Sequence, residues 1–261
     1  MASADADIPD DVRREIEKRL ADIERKFSVE VFYACESGSR AWDFASKDSD
    51  YDVRFLYVHP RNWYLSLSEQ RDVIETPLDG VYDINGWDLR KALRLAAKGN
   101  PVLFEWLSSP IHYFERPLAE RFREAAFECF DSAKAYHHYL SMARGQARAY
   151  LKWETVRHKK YFYAVRPLLA CLFLLERHEP VPMRFADLAN IVPLPPSVRA
   201  AMDELLDAKR KGTEAASAAR IPALDGWIEE TVALLISKAP EGTAEQDIDR
   251  LDRFFLSVIV P

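Results

Sequence analysis

The sequence predicts an α+β fold, in which a part with β-strands is followed by a mainly helical part. Three segments have the β-branched and aromatic content of strands: residues 29–35, 50–58 and 81–85. From about residue 118 onward, apolar residues recur with the three- and four-residue spacing of helices. The change in pattern predicts two domains, residues 1–117 and residues 118–261.

Composition excludes several classes of protein. The chain has 261 residues, of which 48% are hydrophobic and 30% charged, as is typical of a globular protein. Neither the dinucleotide-binding nor the P-loop glycine motif occurs. The longest apolar run, residues 168–175, is too short to cross a membrane. Three widely spaced cysteines indicate neither disulfides nor a zinc site. The acidic N-terminal segment lacks the features of a signal peptide, so we expect a cytoplasmic protein.

Several helices can be located by their end signals. A helix should begin at Pro9-Asp10, and Asn100-Pro101 combines a capping side chain with a proline in the first turn. Asp88 opens another helical stretch, where capping is favoured over a role as a third active-site carboxylate. Pro167 should kink or end the helix that contains it. The apolar tail, residues 254–260, is expected to pack on the rest of the chain.

Three aspartates stand out in the predicted strands. Residues two apart on a strand share a face, so Asp50 and Asp52 should project side by side, and Asp83 has the same apolar setting on the next strand. Converging carboxylates repel one another unless a cation lies between them, and Mg²⁺ prefers such oxygen ligands. A solvated acidic turn is the ordinary alternative. A calcium loop is excluded, because Val53 and His59 stand where glycine and glutamate are required.

A small-residue turn precedes these acids. Gly38 allows the backbone to approach a ligand closely, and Ser39 offers an N–H and a hydroxyl to phosphate oxygens. Together with Asp50 and Asp52, this turn indicates chemistry on a phosphate ester. On these residues alone, metal-dependent phosphoester hydrolysis fits as well as nucleotidyl transfer.

Five blocks of sequence resemble the DNA polymerase β-like nucleotidyltransferase superfamily, and in particular the RNA-repair-pathway nucleotidyltransferase family. They are ESGSRAW (36–42), DSDYDVRFLYV (48–58), DINGWDLRKAL (83–93), NPVLFEWLSSPI (100–111) and KKYFYAVRPLLA (159–170). One departure is Asp43, where such sequences often have glycine after the tryptophan. The resemblance implies a polymerase β-like core, a mixed sheet with flanking helices, followed by an α-helical domain.

The resemblance also implies two-metal, template-independent transfer of NMP from an NTP to an acceptor hydroxyl. Asp50, Asp52 and Asp83 would hold two Mg²⁺ ions, for which Mn²⁺ could substitute. Gly38 and Ser39 would bind the β- and γ-phosphates, in a cleft between the two parts. A tRNA-like RNA end is the favoured acceptor. NMP transfer to a protein or small molecule and a non-catalytic RNA-binding role are the alternatives.

A basic segment contrasts with the acidic chain, whose formal net charge is −6. Residues 144–166 carry seven basic residues against one glutamate. If this segment is one helix, Arg144, Arg148, Lys152, Lys159 and Arg166 share a face, with Tyr163 at its edge. We expect Lys159 and Arg166 to bind the triphosphate, Tyr163 or Tyr161 to stack on a base, and Arg144, Arg148 and Lys152 to follow an RNA backbone. Simple solvation of this face is the alternative. Outside this segment, Arg40 could contact phosphate or pair with Glu36.

Overall fold

The chain forms two compact units. The computed structural model describes residues 8–46, 48–150, 153–211, 218–241 and 248–260. Unit 1 takes the described residues of Met1–Ala41, Asp50–Phe130 and Glu245–Pro261, and unit 2 those of Trp42–Ser49 and Asp131–Ala244. Unit 1 thus includes residues 118–127 and the last helix, which the predicted division placed in the helical part. A catalytic core in residues 1–117 and a helical domain in residues 118–261 stay predictions of function.

Unit 1 is built on a five-stranded mixed sheet. Its strands are β1 (Glu30–Glu36), β2 (Tyr51–Val58), β3 (Val73–Glu75), β4 (Tyr82–Asp88) and β5 (His112–Glu115). They lie in the order β3-β4-β2-β1-β5, and β2 with β4 is the parallel pair, the other neighbours being antiparallel. The α+β class and the three predicted strands are confirmed. The short edge strands β3 and β5 were not predicted, because three or four residues are too few to show a clear alternation.

Helices cover both faces of this sheet. They are α1 (Asp10–Phe27), α2 (Gly38–Ala41), α3 (Arg61–Tyr64), α4 (Leu89–Ala97), α5 (Pro101–Leu107), α6 (Pro117–Phe127) and α12 (Ile248–Ile259). The capping signals act as predicted: the Asp88 side chain accepts from Arg90 N–H, and the Asn100 side chain accepts from Val102 and Leu103 N–H. The predicted packing of the apolar tail is also confirmed, since Ile259 is buried in the core of unit 1.

The alternation of β2 separates two cores. Leu56 belongs to the cluster that β2 forms with α4, α5, α6 and α12. Val53, Phe55 and Tyr57 point the other way and pack with α1. Asp52 lies on the Leu56 side of the strand, just beyond the end of that core, so a rigid and well-packed strand carries it.

Unit 2 is mainly helical. Its elements are α7 (Ser132–Tyr150), β6 (Thr155–Val156), α8 (Lys159–Arg177), α9 (Phe185–Ile191), α10 (Pro196–Arg210), β7 (Ala218–Ala219) and α11 (Pro222–Ser237). Helix α8 is central and packs against α7, α9 and α11. It does not end at Pro167 but continues to Arg177. Across the described ranges of both units, no helix has the length and apolar character needed to cross a membrane.

Candidate active site

Two predicted carboxylates meet on the parallel strand pair. Asp52 of β2 is the register partner of Asp83 of β4, so both side chains project from the same face of the sheet. Both are partly exposed, at 28% and 34% of the side-chain surface. Asp50 precedes β2 by one residue and is exposed. The structure therefore brings Asp52 and Asp83 together and leaves Asp50 at the entrance to the strand.

A guanidinium joins the two carboxylates. Arg54 lies two residues after Asp52 and therefore on the same face. Its Nη2 donates to Asp52 Oδ1 at 3.1 Å and to Asp83 Oδ2 at 2.8 Å. Sequence reasoning missed Arg54, although the period of two that pairs Asp50 with Asp52 extends to this residue. The remaining Asp83 oxygen, Oδ1, accepts from Asn85 Nδ2 at 2.7 Å.

The Asp52 carboxylate is crowded by its neighbours, and its pKa is perturbed. Burial raises its pKa above the ordinary value, the Arg54 guanidinium opposes that rise, and the charges of Asp83 and Asp50 add to it. Its other oxygen, Oδ2, packs on the α-carbon of Gly38, where a Cβ would come within 2.0 Å of it. Gly38 has a φ of +58°, a backbone conformation that favours glycine. Gly38 is therefore required at this position by the aspartate itself.

A buried glutamate supports the Asp52 backbone. Glu36 ends β1, and its Oε1 accepts from Asp52 N–H at 2.9 Å while its Oε2 accepts from the Tyr113 hydroxyl at 2.5 Å. The Ser109 hydroxyl donates to the Glu36 carbonyl at 2.6 Å. Burial raises the pKa of Glu36 to about 7, although the hydrogen bonds from Tyr113 and from Asp52 N–H oppose that rise. Sequence reasoning did not assign this role, because Tyr113 and Ser109 come from distant parts of the chain.

The predicted phosphate turn forms the short helix α2. Gly38 and Ser39 are its first residues, and both are partly exposed beside the Asp52 end of β2. Arg40 lies over the ring of Tyr51 at 4.0 Å from the centroid, and its Nε donates to the Asp50 carbonyl at 3.2 Å. Arg40 thus ties α2 to the residues around the carboxylates. Phosphate binding by these three residues stays a prediction.

The single basic face predicted for residues 144–166 is wrong. Helix α7 ends at Tyr150, β6 follows at Thr155–Val156, and α8 begins at Lys159, so helical phase does not carry across the segment. Strand β6 pairs with β7, more than sixty residues away, and this long-range pairing interrupts the helix. Arg144 is partly exposed and Arg148 exposed on α7, while Lys152 lies outside the described residues. Their contact with RNA stays a prediction.

The predicted triphosphate residues of α8 have different environments. Arg166 is only 2% exposed, its Nη2 donates to the Met183 carbonyl at 3.2 Å, and its guanidinium lies 4.6 Å from the ring centroid of Trp42. Tyr163 makes an edge contact with the same tryptophan, at 5.7 Å between centroids. Lys159 begins the helix and is partly exposed. Arg166 has a structural role in unit 2, and nucleotide binding by these three residues stays a prediction.

The carboxylate pair suits a hard divalent cation. Carboxylate oxygens are the ligands that Mg²⁺ takes, and it commonly binds through one or two protein carboxylates together with substrate phosphates. Within the described part of the chain, no three Asp, Glu, His or Cys side chains are grouped to hold an ion by themselves. Asp52 and Asp83 therefore have the oxygen ligands that a divalent cation takes, but such an ion would need further ligands from elsewhere.

The chain is similar to a known family, to a bacterial protein and, more distantly, to a solved structure. Residues 12–257 match the model of RlaP, the RNA repair pathway DNA polymerase beta family. An uncharacterized protein, YcgL of Bacillus subtilis (strain 168), is 43% identical over 252 residues, which cover 95% of this chain and 96% of that protein. A solved structure, a nucleotidyltransferase-like protein from Exiguobacterium sibiricum 255-15, matches over 93% of this chain and 76% of that one, with 13% identity and a TM-score of 0.29.

Proposed function

The chain belongs to the RNA repair pathway DNA polymerase beta family, and on that premise we propose that it is a metal-dependent nucleotidyltransferase that transfers NMP from an NTP to an RNA end. The family is of the DNA polymerase beta type, which supports this class of enzyme. The observation that carries the proposal is the pairing of Asp52 with Asp83 on parallel strands, with Gly38 packed on the Asp52 carboxylate.

In the proposed reaction, the acceptor hydroxyl oxygen forms a bond to the α-phosphorus of the NTP. The bond from that phosphorus to the β-phosphate oxygen breaks, pyrophosphate leaves, and the hydroxyl proton is released to solvent. Mg²⁺, when bound, neutralises charge on the phosphate oxygens and makes the hydroxyl a better nucleophile. The ions would be held by Asp52 and Asp83 together with Asp50, and Mn²⁺ would substitute for Mg²⁺.

The chain's own groups would orient the nucleotide. The backbone N–H groups and the hydroxyl at Gly38 and Ser39 are suited to the β- and γ-phosphates, since consecutive N–H groups in a tight turn bind anions. The Glu36 and Tyr113 hydrogen bonds would keep Asp52 in place while charge builds up on the phosphates. An RNA acceptor is supported by the family description and by the exposed Arg148.

The test is incubation of the protein with each α-labelled NTP, Mg²⁺ and a pool of small RNAs. Label should appear on RNA with the wild type and be lost with Asp50→Asn and Asp52→Asn. The control is Asp72→Asn, a partly exposed carboxylate that pairs with Lys91 and should leave transfer unchanged. Label on protein would favour protein modification, and RNA binding without label transfer would favour the non-catalytic role. Full activity of Asp52→Asn would contradict the proposed site.

A further inference from the structure

Arg54 is held firmly in its place between the two carboxylates. While Nη2 donates to Asp52 and Asp83, Nη1 donates to the backbone carbonyls of Val53 at 3.0 Å and of Asp83 at 2.8 Å. The side chain is only 16% exposed. Four contacts from two nitrogens fix the guanidinium plane, so the positive charge cannot move away without breaking several hydrogen bonds.

The guanidinium uses the oxygens that a metal ion would need. It engages Asp52 Oδ1 and Asp83 Oδ2, whereas Asp83 Oδ1 accepts from Asn85 and Asp52 Oδ2 packs on Gly38. From these contacts we propose that Arg54 is a built-in counter-cation: it neutralises the Asp52–Asp83 pair in the metal-free protein, and a divalent cation must displace it from these oxygens in order to bind. The inference rests on the proposed function, because it takes this pair to be the metal site.

Two physical effects both lower the affinity of the carboxylate pair for a metal ion. The hydrogen bonds from Nη2 to the carboxylates must be broken or lengthened before a cation can use those oxygens. A positive guanidinium that stays nearby also repels the incoming divalent charge, and burial strengthens this repulsion because the local dielectric is low. Arg54 therefore lowers the affinity of the carboxylate pair for metal when no nucleotide is bound.

The arrangement would make metal binding depend on the nucleotide. Phosphate oxygens of an NTP bring both additional ligands and negative charge, which offset what the cation loses to Arg54. Displaced from the carboxylates, the guanidinium would keep its Nη1 bonds to the two carbonyls and remain beside the site. Metal and nucleotide would then load together, and the protein without nucleotide would hold little metal.

The test is a titration of the full-length protein with Mn²⁺ alone, followed by the electron paramagnetic resonance signal of the free ion. Arg54→Gln should bind Mn²⁺ about tenfold more tightly than the wild type, because one nearby positive charge is removed. Arg54→Lys keeps the charge but cannot form the same fork, and its affinity should lie between the two. Arg71→Gln removes the same charge from an exposed pair with Glu75 and should change nothing.

The possible outcomes test the role of Arg54 and the proposed metal site separately. Equal or weaker Mn²⁺ binding by Arg54→Gln would overturn the inference, as would an absence of binding by both Arg54→Gln and the wild type. If Arg54→Gln has lost its thermal unfolding transition, Arg54→Lys decides: affinity no higher than that of the wild type overturns the inference. Asp52→Asn distinguishes a failure of the inference about Arg54 from a failure of the proposed metal site. Binding that is lost in Asp52→Asn but not tightened in Arg54→Gln contradicts the role of Arg54 alone, whereas binding unchanged in Asp52→Asn contradicts the proposed metal site.

Discussion

The α-carbon of Gly38 and the carboxylate of Asp52 are packed so closely that a Cβ at Gly38 would fall 2.0 Å from Asp52 Oδ2. The contact joins the predicted phosphate turn to the predicted metal ligand, which are fourteen positions apart in the sequence. Any side chain at residue 38 would therefore have to move the carboxylate.

Gly38→Ala tests this contact. The substitution should lower the free energy of unfolding by about 3 kcal/mol, because it combines a left-handed backbone with a steric clash, and it should abolish nucleotidyl transfer. Gly80→Ala is the matched control: Gly80 has a φ of +63°, but nothing lies within 4 Å of its added Cβ. It should cost only about 1 kcal/mol and leave transfer intact. Equal losses in urea unfolding would contradict the close contact.

Asp43 offers a stabilising substitution. It has a φ of +65°, a left-handed backbone conformation that glycine adopts without the steric cost of a side chain. Asp43→Gly should raise the free energy of unfolding by about 0.5 to 1 kcal/mol, because it relieves the left-handed conformation. Ala45→Gly, in the same loop but without a positive φ, should give no gain. Thermal unfolding of both variants measures the difference, and a loss of stability in Asp43→Gly would contradict the explanation.

The contribution of Asp88 to stability should fall as the pH rises from about 4 to about 7. Burial raises the pKa of Asp88 from 3.8 to about 6, even though Tyr64 and the Arg90 N–H donate to it. The folded state therefore binds a proton that the unfolded state has released, and this contribution is fully present below pH 4 and lost through pH 6. This contribution is on the order of 3 kcal/mol, the free-energy equivalent of the difference between the two pKa values.

Asp88→Asn measures this contribution. An asparagine still accepts from Arg90 N–H and keeps the helix cap, but it has no proton to lose. In urea unfolding at several pH values, the wild type should lose stability relative to Asp88→Asn as the pH rises from 4 to 7. An unchanged slope would mean that Asp88 does not titrate in this range.

Arg166 should matter for stability. It is buried against Trp42 and bonded to the Met183 carbonyl, so Arg166→Ala should lower the free energy of unfolding by about 2 to 3 kcal/mol. Arg148→Ala, on an exposed part of α7, should change it by about 0.5 kcal/mol or less. Differential scanning calorimetry gives both values. Equal effects would contradict the structural role of Arg166.

The contrast between Asp52 and Arg166 shows what sequence patterns can predict. The strand alternation around Asp52 and the apolar setting of Asp83 were enough to predict that the two carboxylates meet, because the period of a strand fixes the face. Arg166 was assigned to a basic face by helical phase. Its burial depends on Trp42 and on the segment at Met183, and no local pattern contains that information.

The same limit of sequence patterns applies to the residues that support the carboxylates. Arg54 could have been predicted from its place two residues after Asp52. The role of Glu36 could not be predicted, because it depends on hydrogen bonds with Tyr113 and Ser109, which are more than seventy positions away. The basic segment was misread for a related reason: β6 forms by pairing with β7, which a helical-periodicity argument does not consider.

The proposed site for nucleotidyl transfer depends on the pair Asp52 and Asp83. The most direct measurement is the amount of pyrophosphate released for each α-labelled nucleotide joined to RNA, in the wild type and in Asp83→Asn. One pyrophosphate per transferred nucleotide in the wild type, and neither product in Asp83→Asn, is the result expected. Release of orthophosphate or free NMP without transfer would instead indicate hydrolysis, and full transfer by Asp83→Asn would contradict the site itself.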